Sequence, residues 1–84
     1  SLPDTQMEVL RILYNNRNSD EVMTAARIAV EMDKHHLAIT KFCDKLKRLD
    51  YVDYDVRNKR VYKITQKAID TYFEKEPEID EFSI

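Results

Sequence analysis

"TAARIAVEMDKHHLAITKFCDKLKRLDYVDYDVRNKRVYKIT" spans residues 24–65 and decides the fold, because its apolar residues change from helical to alternating spacing along its length. In the first part they recur every three or four positions, at Ala25, Ile28, Ala29 and Met32. Thr24 stands directly before them and offers a hydroxyl group to the first helical turn. The pattern therefore predicts a short helix that begins after Thr24 and ends near Asp33.

A second helix is predicted within the same stretch. Its apolar side chains recur at helical spacing, at Ile39, Phe42, Cys43, Leu46 and Leu49. The spacing predicts a helix that begins near His35 or His36 and ends at Asp50, a residue type that tolerates the left-handed backbone of a helix end better than most. Only residues 33–35 join the two predicted helices, which is the geometry of a helix-turn-helix.

The end of the stretch predicts a β-hairpin, because apolar and polar side chains alternate on both sides of the basic loop segment 57–60. A three-residue loop, 57–59, would pair Val52 with Ile64 and Tyr54 with Tyr62, so that one face of the hairpin is apolar. A two-residue loop would instead place Lys63 opposite Tyr54. The hydrophobic pattern therefore selects the three-residue loop.

Outside this stretch, the sequence predicts one helix on each side. Residues 4–15 carry a broad apolar stripe, and Thr5 with Glu8 has the spacing of a capping box. A short extended piece is expected at Val22 and Met23. Thr65 is expected to cap a last helix over about 66–75.

These elements predict an α+β fold that is mostly helical, with one domain over residues 1–76 and an acidic tail over 77–84. Hydrophobic residues make up 43% and charged residues 36%, which is typical of a globular domain. The sequence shows no membrane-spanning run and no signal-peptide pattern, and its one cysteine cannot form an internal disulfide. A cytoplasmic protein is therefore expected.

The charges are unevenly distributed in a chain of net charge −2. Residues 34–63 carry nine basic and four acidic side chains, whereas residues 1–33 and 64–84 are both net acidic. Such asymmetry is expected where one surface meets phosphate groups and the rest faces solvent. Without glycine the chain has no phosphate-binding glycine loop, and no nucleophile has a base at a recognisable spacing, so we do not expect an enzyme.

Residues 24–65 resemble the winged helix-turn-helix family, and within it the MarR-type and PadR-type regulators. Ile28, Ala29 and Met32 lie where that family has the core triplet of its second helix, and "YKITQKA" resembles its exit from strand to helix. The resemblance implies a three-helix core, a two-stranded wing hairpin and a C-terminal helix. It also implies a cytoplasmic transcriptional regulator, nucleoid-associated in a bacterium or archaeon, that binds double-stranded DNA and has no cofactor.

Carried over by position, the family's DNA contacts fall on the helix that begins near residue 35 and on the basic loop. The helix would enter the major groove, with His36, Thr40 and Lys41 near base edges, and the loop would reach the minor groove or phosphates. The implied DNA-binding residues are His35, His36, Thr40, Lys41, Lys45, Arg57, Asn58, Lys59 and Arg60. Regulators of this family commonly act as dimers, so a homodimer is also considered.

Alternative interpretations remain for each of these features. The basic loop could be a solvated hairpin edge that resists aggregation. The neighbouring His35 and His36 lie on different sides of a helix and have no second ligand cluster, so no metal site is expected. The domain could instead be a protein-interaction module of a transcription or replication complex. In that case the acidic tail, with Ile79, Phe82 and Ile84, could contact the partner.

Overall fold

The computed structural model describes residues 2–75 and has an α+β fold that is mostly helical. The two strands form one antiparallel sheet within the described part of the chain. The elements are α1 (Asp4–Asn15), α2 (Ala25–Met32), α3 (His36–Arg48), β1 (Val52–Asp55), β2 (Val61–Ile64) and α4 (Gln66–Ala68). This order of three helices, a hairpin and a C-terminal helix is the winged-helix-like arrangement that the sequence predicts. The predicted tail, residues 77–84, lies outside the described residues.

The predicted bounds of α1 are confirmed, but the predicted capping box is wrong. The N-cap of α1 is Pro3, which makes no side-chain cap, and Thr5 lies inside the first turn. Pro3 can start the helix because its backbone carbonyl accepts a hydrogen bond from the Met7 amide at 3.0 Å. Asp4 adds a negative charge at the positive end of the helix dipole.

The predicted ends of α2 and α3 are confirmed to within two residues. The hydroxyl group of Thr24 accepts a hydrogen bond from the Arg27 amide at 3.3 Å, as its position predicted. Asp33 ends α2 with a φ of 52°, and Asp50 follows α3 with a φ of 64°. Both are left-handed positions where glycine would be easier to accommodate, and this chain has no glycine.

The predicted hairpin register is confirmed, but the predicted loop length is wrong. Val52 pairs with Ile64 and Tyr54 with Tyr62, so the apolar side chains share one face. The loop has five residues, 56–60, rather than three. Its first three residues form a 3-10 turn, and Lys59 and Arg60 follow with φ values of 53° and 55°. A three-residue loop and a five-residue loop centred on Asn58 give the same strand pairing, so the apolar pattern predicts the register but not the length of the loop.

The C-terminal helix begins as predicted and ends two residues early. The hydroxyl group of Thr65 accepts a hydrogen bond from the Ala68 amide at 3.2 Å, and α4 continues into a π-helical turn, Ile69–Phe73. The Glu74 amide donates to the Ile69 carbonyl at 2.7 Å, which closes this wide turn. Phe73 stacks on Tyr14 of α1 with ring centroids 4.4 Å apart, so the end of the helix lies against the end of α1.

The core lies between α1, α2, α3 and the apolar face of the hairpin. Its most fully buried side chains are Val9, Leu10, Ile28, Ile39, Cys43, Leu46, Val52 and Tyr62. Val22 and Met23, where a short extended piece was predicted, are not part of a β-strand. One backbone hydrogen bond joins this segment to β2: the Tyr62 amide donates to the Met23 carbonyl at 2.9 Å. None of the helices in residues 2–75 has the length and apolar character needed to cross a membrane.

Candidate nucleic-acid interface

The outward face of α3 carries positive charges that form no ion pair within residues 2–75. Because successive helical residues are about 100° apart, Lys41 and Arg48 lie nearly opposite the buried Ile39. Lys41, Lys45 and Arg48 are exposed, and within residues 2–75 they form no ion pair and no side-chain hydrogen bond. Their ammonium and guanidinium groups are therefore available to an anionic partner.

The predicted site residues at the N-terminal turn of α3 differ in whether the side chain supports the helix or faces outward. His35 is the N-cap of the helix, and its Nδ1 atom accepts a hydrogen bond from the Leu37 amide at 3.2 Å. The His36 ring is exposed and stacks on His35 with centroids 4.5 Å apart. The Thr40 hydroxyl group donates to the His36 carbonyl at 3.1 Å, which leaves its oxygen able to accept. His35 is thus engaged in the fold, while His36 and Thr40 still present polar atoms outward.

Leu37 and Arg48 belong to the same surface, although the sequence analysis did not include them among the site residues. Leu37 follows His36 on the first turn of α3 and is 58% exposed, which is unusual for a leucine beside polar residues. Apolar side chains at this place in a recognition helix can contact the methyl group of thymine. Both residues could have been found from the helical period, since both lie opposite Ile39.

Arg60, one of the predicted DNA-binding residues, is exposed and pairs with α3. Its Nη1 atom lies 3.3 Å from Oδ1 of Asp44 on α3, and its guanidinium group lies 5.2 Å from the centroid of the Tyr54 ring. The buried Tyr62 ring packs edge-on against Tyr54, with centroids 5.5 Å apart. Arg60 therefore joins the hairpin to α3, and its charge is largely offset by Asp44.

A second ion pair joins the same two elements. Nζ of Lys47 lies 3.0 Å from Oδ1 of Asp53 and 4.8 Å from the centroid of the Tyr54 ring. The hydrogen bond from Lys47, together with that from the Tyr54 amide, lowers the pKa of the Asp53 carboxyl group below its ordinary value. We call Asp53, Tyr54 and Arg60 the hairpin base, because these three residues hold the hairpin against α3.

Three of the other loop residues, Arg57, Asn58 and Lys59, form what we call the hairpin tip. The Asp55 carboxylate accepts a hydrogen bond from the Arg57 amide at 2.8 Å and so fixes the start of the 3-10 turn. All three tip residues are exposed, and none of their side chains forms a hydrogen bond or an ion pair with another described residue. The tip residues adjoin Arg60 in the chain, and Arg60 is the loop residue that contacts α3.

Cys43 belongs to the core rather than to the candidate interface. Its side chain is fully buried, and burial together with the nearby Asp44 carboxylate raises the pKa of the thiol to about 12. Such a thiol stays protonated at neutral pH and is a poor nucleophile.

No protein family, curated protein or solved structure matches the chain in the comparisons.

Proposed function

We propose that this protein is a MarR/PadR-like winged helix-turn-helix regulator that binds double-stranded DNA sequence-specifically. In this proposal α3 lies in the major groove and the hairpin tip contacts the minor groove or phosphates. The supporting observation is a set of basic side chains that form no ion pair with any described residue: Lys41, Lys45 and Arg48 on α3, and Arg57 and Lys59 on the tip. Basic side chains that make no internal pair are the ones able to replace the counterions of DNA.

The dimensions of α3 agree with this proposal. Thirteen residues give a helix about 20 Å long, and a B-DNA major groove about 12 Å wide admits a helix. The first turns of a recognition helix lie closest to the bases, so His36, Leu37, Thr40 and Lys41 are the proposed base readers. In a homodimer, two copies of α3 would bind half-sites one helical turn apart, about 34 Å.

The proposal is tested by measuring binding to a fluorescent random-sequence duplex at low and near-physiological salt. The wild type is compared with Lys41→Ala/Arg57→Ala/Lys59→Ala. A control, Arg11→Ala/Arg27→Ala/Lys75→Ala, also removes three positive charges from outside the candidate interface, two of which are paired, Arg11 with Glu8 and Arg27 with Glu21. We expect salt-sensitive binding, a salt slope smaller by about three in the first variant, and a nearly unchanged slope in the control.

Either of two results would contradict DNA binding through this surface. One is no binding by the wild type even at low salt, and the other is equal weakening by both triple variants. If binding occurs as expected, selecting duplexes from a random pool then tests whether it is sequence-specific. An unenriched pool would contradict sequence specificity.

A second candidate function is a protein-interaction module of a transcription or replication complex. It is favoured by Val30 on α2, which is 81% exposed and adjoins Glu31 on the exposed side of that helix. A protein partner could bury this apolar side chain, whereas a phosphate group could not. For this function we expect partner binding that Val30→Asp abolishes and that the Lys41/Arg57/Lys59 variant leaves unchanged.

A further inference from the structure

A groove runs along the outward face of the hairpin, on the side away from the core. It has a volume of about 980 Å³ and lies between the segment before α2, which includes Asp20 and Val22, and the hairpin residues Val61 and Lys63. A smaller cavity of about 220 Å³ continues it toward Arg17 at the end of α1, since Val61 and Lys63 line both. We call the two together the hairpin groove. At its far end it reaches the hairpin tip.

Within residues 2–75, most acidic side chains that line the hairpin groove already have a partner, whereas the basic side chains that line it from the hairpin do not. Of its four carboxylates, Asp20 makes no ion pair within the described chain, and the other three are engaged: Glu21 pairs with Arg27, Asp53 pairs with Lys47, and Asp55 accepts a hydrogen bond from the Arg57 amide. In contrast, its basic side chains Arg57, Lys59 and Lys63 make no ion pair with any residue of the described chain. Val22, 55% exposed, and the half-buried Val61 add an apolar strip. The groove therefore fits an extended segment that combines carboxylates with apolar side chains.

Residues 76–84, "EPEIDEFSI", have this composition and follow directly from one end of the groove. They carry four acidic side chains together with Ile79, Phe82 and Ile84. The last described residues lie near Arg17, which lines the smaller cavity, because Oε1 of Glu74 is 3.9 Å from Nη2 of Arg17. Nine extended residues span up to about 30 Å. The strand β2, Val61–Ile64, has four residues and is about 13 Å long, so this reach exceeds the length of the strand.

We propose that residues 76–84 bind back into the hairpin groove and compete with DNA for the hairpin tip. Their carboxylates lie against Lys63, Lys59 and Arg57, and their apolar side chains lie against Val22 and Val61. The binding itself is independent of the proposed function, whereas the competition rests on it. Because the segment is tethered, its effective concentration near the groove is in the millimolar range, so even a weak contact would be occupied.

The binding is tested in the full chain without DNA, by paramagnetic relaxation from a nitroxide attached at Ser83→Cys. Cys43 is buried with a raised pKa, so the label attaches at position 83 alone. We expect selective broadening of the amide signals of Val22, Val61 and Lys63, with the amide of Val30 on α2 as the internal reference. The broadening should disappear when Glu76, Glu78, Asp80 and Glu81 are replaced by their amides.

The proposal would be overturned by groove signals that broaden no more than that of Val30, or that broaden equally after the four acidic residues are neutralised. Since no DNA is present, this result is separate from a failure of the proposed function. If the groove is filled nine-tenths of the time, the same neutralisation should raise DNA affinity about tenfold.

A control variant separates the competition from a general charge effect. Asp4→Asn/Glu8→Gln/Glu31→Gln/Asp70→Asn removes the same number of negative charges from exposed or half-exposed positions outside the groove. This variant should raise DNA affinity much less than the tail variant does. Equal increases in the two variants would overturn the competition.

Discussion

The hairpin tip and the hairpin base carry similar side chains but use them differently. At the base, Arg60 and Asp53 pair with Asp44 and Lys47 of α3, and the Tyr54 ring lies close to both cations. At the tip, Arg57 and Lys59 have no such partner in the described chain. A basic residue in a sequence can thus either hold the fold or face a ligand, and the difference depends on residues far away in the chain.

Paired and unpaired basic residues also occur together on α3, and replacing the unpaired ones gives the largest expected loss of DNA affinity. Lys41→Ala/Lys45→Ala removes two unpaired lysines, and we expect DNA affinity to fall on the order of tenfold to a hundredfold, with a salt slope smaller by about two. Lys47→Ala removes a lysine that already pairs with Asp53, so the slope should change little. Fluorescence anisotropy across a salt series checks both variants. If Lys47→Ala reduces the salt slope as much as each of Lys41→Ala and Lys45→Ala does, then pairing with Asp53 makes no difference and the comparison is contradicted.

The two neighbouring histidines should differ in their effect on stability. His35→Ala removes the N-cap of α3, so we expect the free energy of unfolding to fall by about 0.5–1 kcal/mol. His36→Ala should cost less, because its ring is exposed and accepts no backbone hydrogen bond in the described structure. Urea denaturation of both variants measures the difference. Equal destabilisation would show that the cap does not contribute.

Asp50 and Lys59 both have left-handed backbones, so glycine at each position separates the effect of the Lys59 charge from the effect of backbone shape. Asp50→Gly and Lys59→Gly should each raise the free energy of unfolding by roughly 0.5 kcal/mol. Relief of the left-handed penalty, about 1–2 kcal/mol, exceeds the entropy that glycine adds to the unfolded chain, about 0.4–1 kcal/mol. Only Lys59→Gly should also weaken DNA binding. If Asp50→Gly weakens it equally, the effect comes from shape rather than from the tip charge.

The smallest expected effect concerns pH and the hairpin base. The lowered pKa of Asp53 means that its ion pair stabilises the fold above the ordinary aspartate value of 3.8, and that this contribution is lost as the pH falls through the lower pKa of the folded state. Asp53→Asn should therefore lose slightly less stability than the wild type between pH 4 and 2, because it has no carboxylate to protonate. Thermal unfolding at several pH values measures this, and a steeper loss in the variant would contradict it.

Much of the fold could be predicted because its signals are local. Helical spacing fixed the ends of α1, α2 and α3, the hydroxyl groups of Thr24 and Thr65 marked two helix starts, and alternation selected the hairpin register. The five-residue loop and the π-helical end of the C-terminal helix could not be predicted, because neither changes the apolar pattern.

The candidate site was less predictable, because whether a basic side chain is paired or free depends on contacts between residues far apart in the chain. Asp44 and Arg60 are 16 residues apart, and nothing in the local sequence shows that they meet. The cap at His35 was also missed, because histidine is not among the preferred N-cap residues. Exposed Leu37, in contrast, could have been found from the helical period alone.

The most direct test compares the salt dependence of DNA binding for the tip and the base. Arg57→Ala/Lys59→Ala should reduce the salt slope by about two, whereas Arg60→Ala should leave it nearly unchanged, because Arg60 is paired with Asp44. Asp44→Asn/Arg60→Ala serves as a control that removes both partners. If Arg60→Ala lowers the slope by about one, as each tip substitution is expected to do, then the proposed difference between the base and the tip is contradicted.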